Sequence, residues 1–208
     1  MSRVVEILAV ALVAAAASIA GPAGATPLVP GGNFSNQTHG VNNSTDDHSG
    51  EFLAGIDFTN SLLRRIDFTG SDLSGASFLD ATLRRVDFDS ADLVGADFAN
   101  TTIFRVDFTG ADLTNTNLAG STWNGPNSLA GATLAGVDFS GATLGANTNI
   151  VGTNFTGAFY DASTTFNMAG FDPVSAGMVL TPERGTGDLL CLGLLGLATL
   201  RRRGVALD

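Results

Sequence analysis

The charged residues with the most regular spacing are arginines. Arg64-Arg65 recurs as Arg84-Arg85, and Phe104-Arg105 stands where a third pair would fall. A guanidinium group is a planar fork of donors that matches carboxylate, sulfate and phosphate. Arg64, Arg65, Arg84, Arg85 and Arg105 are therefore the candidate surface contact, toward an extracellular polysaccharide, another anionic polymer or a second surface protein. Asp67, Asp87 and Asp107 follow at the same interval, so the same columns could equally form a charge-compensated face worth little per exposed pair. His39 and His48, with Asp46 and Asp47 beside the second, have the types for a weak metal site. They fall in a stretch of Gly, Pro, Asn, Ser and Thr, where solvated loop residues are expected. Cys191 is the single cysteine, which excludes an internal disulfide and a cysteine-based metal site. No nucleophile stands beside a base, and the Asp residues are spread along the chain instead of converging. The expectation is a protein that is not an enzyme, with no catalytic, cofactor or metal residue.

The elements that hold these groups follow from a period of five. Glu51 to Gly125 divides into fifteen consecutive blocks of five, centred on Leu53, Phe58, Leu63, Phe68, Leu73, Phe78, Leu83, Phe88, Leu93, Phe98, Ile103, Phe108, Leu113, Leu118 and Trp123. Two positions before most centres comes a small or β-branched residue such as Ile56, Ala76, Val86 or Ala96. Such a period fits neither an amphipathic helix nor a plain strand. In-out-in alternation gives one short extended side, and the outward positions that follow give a corner, where Gly55, Asn60, Gly70, Gly75, Asp80 and Gly95 suit positive φ.

A second period sets the coil. Leu63-Arg64-Arg65-Ile66-Asp67-Phe68 returns twenty residues later as Leu83-Arg84-Arg85-Val86-Asp87-Phe88, and again in altered form from Ile103. Four blocks thus close one turn, and residues twenty apart stack at the inter-strand distance of roughly 4.8 Å. The interior sorts into ladders of Phe58/Phe78/Phe98, Phe68/Phe88/Phe108, Leu53/Leu73/Leu93/Leu113 and Leu63/Leu83/Ile103, with the two Phe walls facing each other. Blocks such as Ala91-Asp92-Leu93-Val94-Gly95 and Ala111-Asp112-Leu113-Thr114-Asn115 resemble the pentapeptide-repeat family. That resemblance implies an all-β right-handed four-sided β-helix, here expected over 51–167, and fixes no single function.

The register slips further on. Pro126 to Gly131 reads as six residues without a large apolar centre, Asn147 to Gly152 forms a second such interval, and each should bulge at a corner. Counting through Asn167 gives nearly six coils. Aromatic residues then continue without the period through Phe159-Tyr160, Phe166 and Phe171, so 168–180 is expected to cap the open end.

The ends differ in composition. Arg3, an apolar run from Ile7 to Ala20, and Ala23-Gly24-Ala25 read as a signal peptide over 1–25, cut by signal peptidase at Ala23 and Ala25. Residues 26–50 are expected as a flexible linker or N-terminal cover. In 181–208, Pro182-Glu183-Arg184, an apolar run from Leu189 to Leu200, and Arg201-Arg202-Arg203 resemble the PEP-CTERM sorting signal. That resemblance implies processing at Pro182 and Glu183 by an exosortase-like membrane enzyme, with Arg201, Arg202 and Arg203 held on the cytoplasmic side. Both apolar runs are expected as helical segments, the second giving transient or tail-mediated membrane association.

The net charge of −10 and the lack of any lysine argue against direct binding of nucleic-acid phosphate. The expectation is an exported bacterial surface or extracellular-matrix protein, a rigid repeat scaffold or spacer, possessing no cofactor and found at the cell surface or in the matrix, with the tail as an anchor. The alternative, also implied by the family resemblance, is an acidic DNA mimic that binds a type II topoisomerase.

Overall fold

A computed structural model describes residues 28–40 and 45–182. The chain winds as an all-β right-handed solenoid of about seven turns. One column of bridged residues marks every turn: Asn33, Asp57, Ser77, Asp97, Asn117, Asp138, Phe159 and Val179, each parallel to the next. At about 4.8 Å per turn, the tube is roughly 34 Å long.

Its largest sheet has seven parallel strands, stacked in the order Thr38–His39, Leu62–Arg64, Thr82–Arg84, Thr102–Phe104, Thr122–Asn124, Thr143–Leu144 and Thr165–Phe166. The remaining sides are held by single bridges and two-residue strands, because five residues leave room for little more.

Each block is built by three kinds of hydrogen bond. The Leu53 amide donates up the tube to the Asp72 carbonyl at 2.7 Å, the Ile56 amide closes the corner on the Leu53 carbonyl at 3.1 Å, and Gly55 between them has φ +68°. Positive φ at the third residue of such a turn favours Gly and Asn, which explains the corner composition. The Asp before a block centre adds the third bond: Asp72 Oδ1 accepts from the Ser74 amide at 3.0 Å, and Asp97 Oδ1 from the Ala99 amide at 3.0 Å. A short carboxylate thereby satisfies a corner amide that neither side of the tube can reach.

The bore is filled with side chains. Phe58, Phe68, Phe78, Phe88, Phe98 and Phe108 are fully buried, as are Leu53, Leu63, Leu73, Leu83, Leu93 and Ile103. Rings stack along each wall, Phe68 on Phe88 at 5.4 Å and Phe88 on Phe108 at 5.1 Å. Across the bore they meet edge to face, Phe78 against Phe88 at 5.6 Å and 82°. Both arrangements suit the ring quadrupole. Trp123 follows Ile103 in its column, with Leu144 on the next turn, and its buried indole N–H donates to Ser121 Oγ at 2.9 Å.

The solenoid differs from the plain twenty-residue count at three places, the first in the segment expected as a linker or N-terminal cover. Residues of the 26–50 segment stack as a turn on the first coil: Thr38 pairs with Leu62 and His39 with Leu63, while Leu28 is buried and Phe34 packs on the core. The step there is twenty-four residues instead of twenty, which hides the repeat. The interval 126–131 does have a large apolar centre, Leu129, fully buried with its amide bonded to the Asn149 carbonyl at 2.8 Å. One extra residue before it moves the centre by one place, so Asp107 pairs with Ser128. Asn127 turns inward to heal the bulge, its Oδ1 accepting from the Val106 amide at 3.0 Å and its Nδ2 donating to the Asn124 carbonyl at 3.2 Å. The third difference is length, since the turns continue past Asn167.

At the C-terminal end Phe171 packs on Phe155 at 4.9 Å and on Phe166 at 5.0 Å, with Met168 and Met178 buried beside them. The last strand, Val179–Leu180, pairs with Phe159–Tyr160. Both terminal apolar runs lie outside the described residues. Among the described residues no helix is long and apolar enough to cross a membrane.

Candidate functional site

All five arginines of the described residues gather at one corner of the tube. Arg64, Arg84, Phe104 and Asn124 form one hydrogen-bonded column on the outer face of the largest sheet. Arg65, Arg85 and Arg105 form the corner column beside it, the Arg65 amide donating to the Arg84 carbonyl and the Arg85 amide to the Phe104 carbonyl, each at 3.0 Å. Together Arg64, Arg65, Arg84, Arg85 and Phe104 line an open cleft of ≈ 280 Å³.

The corner column is strained. Arg65, Arg85 and Arg105 have φ of +54°, +57° and +55°, in the left-handed region that the other corners fill with Gly, Asn, Asp or Ser. An arginine there carries a steric cost of about 1 kcal/mol. This feature was missed from the sequence, although its signal was present: the three arginines occupy the same block position as Gly55, Gly75 and Gly95.

Phe104 organises the upper end. The guanidinium carbon of Arg84 lies 5.5 Å from its ring centroid and that of Arg105 lies 5.3 Å away, both within cation–π range. The half-buried ring rests over Gly125, where an added Cβ would stand 2.9 Å from Phe104 Cε2.

Among the described residues, Arg64, Arg84, Arg85 and Arg105 make no ion pair with a carboxylate. Asp67, Asp87 and Asp107 occupy the next side of the tube, and their Oδ1 atoms accept from the amides of Thr69, Asp89 and Thr109, each at 2.9 Å. Those local bonds hold the carboxylates against their own corners. Burial, followed by the like charges of Asp107, Asp67 and Asp89, raises the Asp87 pKa above the usual carboxylate value, against the pull of the Asp89 amide.

The histidines are not solvated loop residues. The His39 ring packs edge to face on Phe58 at 5.2 Å, and His48 stacks on Phe68 at 5.8 Å with Nδ1 3.1 Å from Glu51 Oε2. His48 covers the N-terminal end of the Phe68 wall, and His39 stands over Leu63 at the head of an aliphatic column, with its edge toward Phe58. His39 Nε2 is buried without a hydrogen-bond partner, and burial pulls its pKa below 6.5. Among the described residues no group of three His, Cys, Asp or Glu side chains could hold a metal ion.

Of the expected processing residues only Pro182 is described; it is exposed, just beyond Thr181, whose amide donates to the Tyr160 carbonyl at 2.7 Å. Ala23, Ala25, Glu183, Arg201, Arg202 and Arg203 lie outside the described residues, as does Cys191.

The five-residue period that places the arginine columns is also what comparison with known proteins detects. A family model described as pentapeptide repeats matches residues 53–89 and 81–120 in eight copies. Residues 53–120 are therefore pentapeptide repeats. No curated protein sequence matches it. Among solved pentapeptide-repeat and related structures, a trypsin-treated form of QnrB1, a plasmid-mediated fluoroquinolone resistance protein, is 19% identical, with 86% of this chain and 92% of that chain covered and a TM-score of 0.33. HetL, involved in heterocyst differentiation regulation in the cyanobacterium Nostoc sp. strain PCC 7120, is also 19% identical, over 71% of this chain and 82% of its own, with a TM-score of 0.27. A pentapeptide repeat protein from the thylakoid lumen of Arabidopsis thaliana is 33% identical, over 57% and 64% respectively, with a TM-score of 0.18. The fold is carried by the chain's own five-residue repeat and the hydrogen bonds between its turns.

Proposed function

We propose that this protein is a non-enzymatic scaffold or spacer, exported and sorted to the bacterial cell surface or extracellular matrix. The observation that carries the scaffold reading is the filled bore, in which buried rings and aliphatic side chains stack through successive turns. A tube packed in this way holds a fixed length and exposes its outer columns for contact. The described chain enters at the first turn and leaves at the last, an arrangement suited to keeping two attached partners apart.

Export rests on the sequence at the two ends. Arg3, the apolar run and Ala23-Gly24-Ala25 supply what signal peptidase recognises. Pro182-Glu183, the second apolar run and Arg201-Arg202-Arg203 supply a PEP-CTERM-like tail for an exosortase-like membrane enzyme, with transient or tail-mediated membrane association before processing. Intact mass and cellular fraction in the native host test both ends together. A chain starting near Thr26, lacking the region beyond Pro182 and found outside the inner membrane is the expected result.

One observation favours a second reading. Asp72, Asp92 and Asp112 form an outward acidic column, with Asp67, Asp87 and Asp107 on the side before it, and such columns could mimic a phosphate backbone for a type II topoisomerase. The arginine corner borders that surface on one side. A full-length chain in the cytosol that inhibits DNA supercoiling would replace the scaffold reading with this one.

A further inference from the structure

We infer that the arginine corner and the adjoining sheet face bind a linear carboxylated polysaccharide laid along the tube axis. The inference goes beyond the scaffold reading and stands on the solenoid alone.

The outer face of the largest sheet presents two columns. Side chains two apart on a strand share a face, so Thr82, Thr102 and Thr122 stand beside Arg84, Phe104 and Asn124. Leu83, Ile103 and Trp123 between them point into the core. The hydroxyls of Thr82, Thr102 and Thr122 have no hydrogen-bond partner among the described residues, unlike those of Thr109, Thr114 and Thr116. Hydroxyl groups in one column and guanidinium groups in the next match a ligand that carries hydroxyls and carboxylates in regular succession.

Spacing favours a chain over a single anion. Successive rungs are roughly 4.8 Å apart, close to the advance of one sugar residue in an extended polyuronate, so successive carboxylates can meet successive guanidinium forks. Arg64, Arg84, Arg85 and Arg105 are not neutralised by carboxylates of the described chain, and a free monoanion would engage only one or two of them. The cleft of ≈ 280 Å³ is slightly smaller than the range of about 300 Å³ upward typical of small-molecule pockets, as suits a groove that grips part of a longer molecule. Phe104 holds Arg84 and Arg105 against its ring, which lowers the entropy lost on binding.

The surroundings favour polysaccharide over nucleic acid. The Asp67/Asp87/Asp107 column lies on the next side and opposes a dense phosphate backbone, whereas a chain seated over the Thr and Arg columns stays clear of it. Arginine is also kept at three corners where the backbone favours Gly or Asn, so its charge is retained at a steric cost that folding alone does not require.

The test is calorimetric titration of the purified full chain with a long oligogalacturonate, galacturonic acid, a neutral oligosaccharide of equal length and a single-stranded oligonucleotide. The oligogalacturonate is expected to bind at least about tenfold more tightly than the other three, with affinity falling as salt rises. The double variant Arg64→Ser/Arg84→Ser should weaken it by about tenfold or more. Arg85→Asn, in which the new residue accepts the left-handed corner, should also weaken it, and Thr102→Val should weaken it without altering its salt dependence. Absence of oligogalacturonate binding, equal or tighter binding of the oligonucleotide, or unchanged affinity in the folded Arg85→Asn and Thr102→Val variants would overturn the inference.

Discussion

The ring of Phe98 lies parallel to that of Phe78, with centroids 4.5 Å apart and 11° between the planes. It also meets Phe88 and Phe108 edge to face, at 5.9 Å and 5.8 Å. One side chain therefore locks two turns together along a wall and two walls together across the bore. Phe98→Ala should destabilise the solenoid by about 3–5 kcal/mol, measured by chemical denaturation. Phe88→Asp buries an unpaired charge and should leave no cooperative unfolding transition; a native melting curve for that variant would contradict the inward placement of the ladder.

The first turn should be sensitive to mild acid. Burial lowers the His39 pKa below 6.5, against the opposing effects of the Phe34 backbone bond and Asp46. The folded turn then binds fewer protons than the unfolded one, so its stability is complete above pH 6.5 and declines as pH falls through that value. Hydrogen exchange at Phe34 and Asn36, whose amides donate to the Asp57 and Thr59 carbonyls, should accelerate below that pH, and His39→Phe should remove the effect.

The last turns should resist acid for longer. Asp161 Oδ1 accepts from Ser163 Oγ at 2.7 Å, Thr164 Oγ1 at 2.9 Å and the Gly141 amide at 3.0 Å. These bonds, the Ser163 hydroxyl foremost, lower its pKa from 3.8 to about 2. A depressed carboxylate stabilises the fold above 3.8, and that contribution is lost as pH falls toward 2. Asp161→Ala should cost about 1 kcal/mol near neutral pH, the low end for charge-assisted bonds because solvent screens the site, and should flatten the acid limb of the stability profile.

Removing strain at the arginine corner should stabilise the protein. Arg85 has φ +57° and is exposed, and asparagine adopts that conformation more readily. Arg85→Asn is expected to gain about 0.5–1 kcal/mol, read as a rise in melting temperature. A loss of stability would mean that the Arg85 side chain contributes packing beyond its backbone cost.

Much of the fold was legible because one residue type recurs wherever the physics recurs. Phe68, Phe88 and Phe108 stand twenty apart, and so do their hydrogen bonds. His39 and Phe34 were not legible as core because four more residues enter the first turn and shift their partners to Leu63 and Phe58. Leu129 was hidden by a single insertion that Asn127 repairs with its own amide. At the candidate site the sequence displayed the arginine and aspartate columns and suggested mutual neutralisation. A short carboxylate beside a corner suits the corner amide as well as a neighbouring guanidinium, and spacing alone does not choose between them, because it gives the position of a side chain and says nothing of its rotamer.

The bonds between turns also determine how the tube responds to force. The amides of Phe58, Phe78 and Phe98 donate up the tube to the carbonyls of Ser77, Asp97 and Asn117 at 2.7, 2.6 and 2.7 Å, so the linkage between turns runs parallel to the long axis. Tension between the first and last turns loads these linkages in series, and each turn opens after its neighbour at low force, paying out chain as it goes. Compression presses the same turns onto rings already in contact and meets far greater resistance. The protein is thus a stiff strut under compression and an extensible tether under tension.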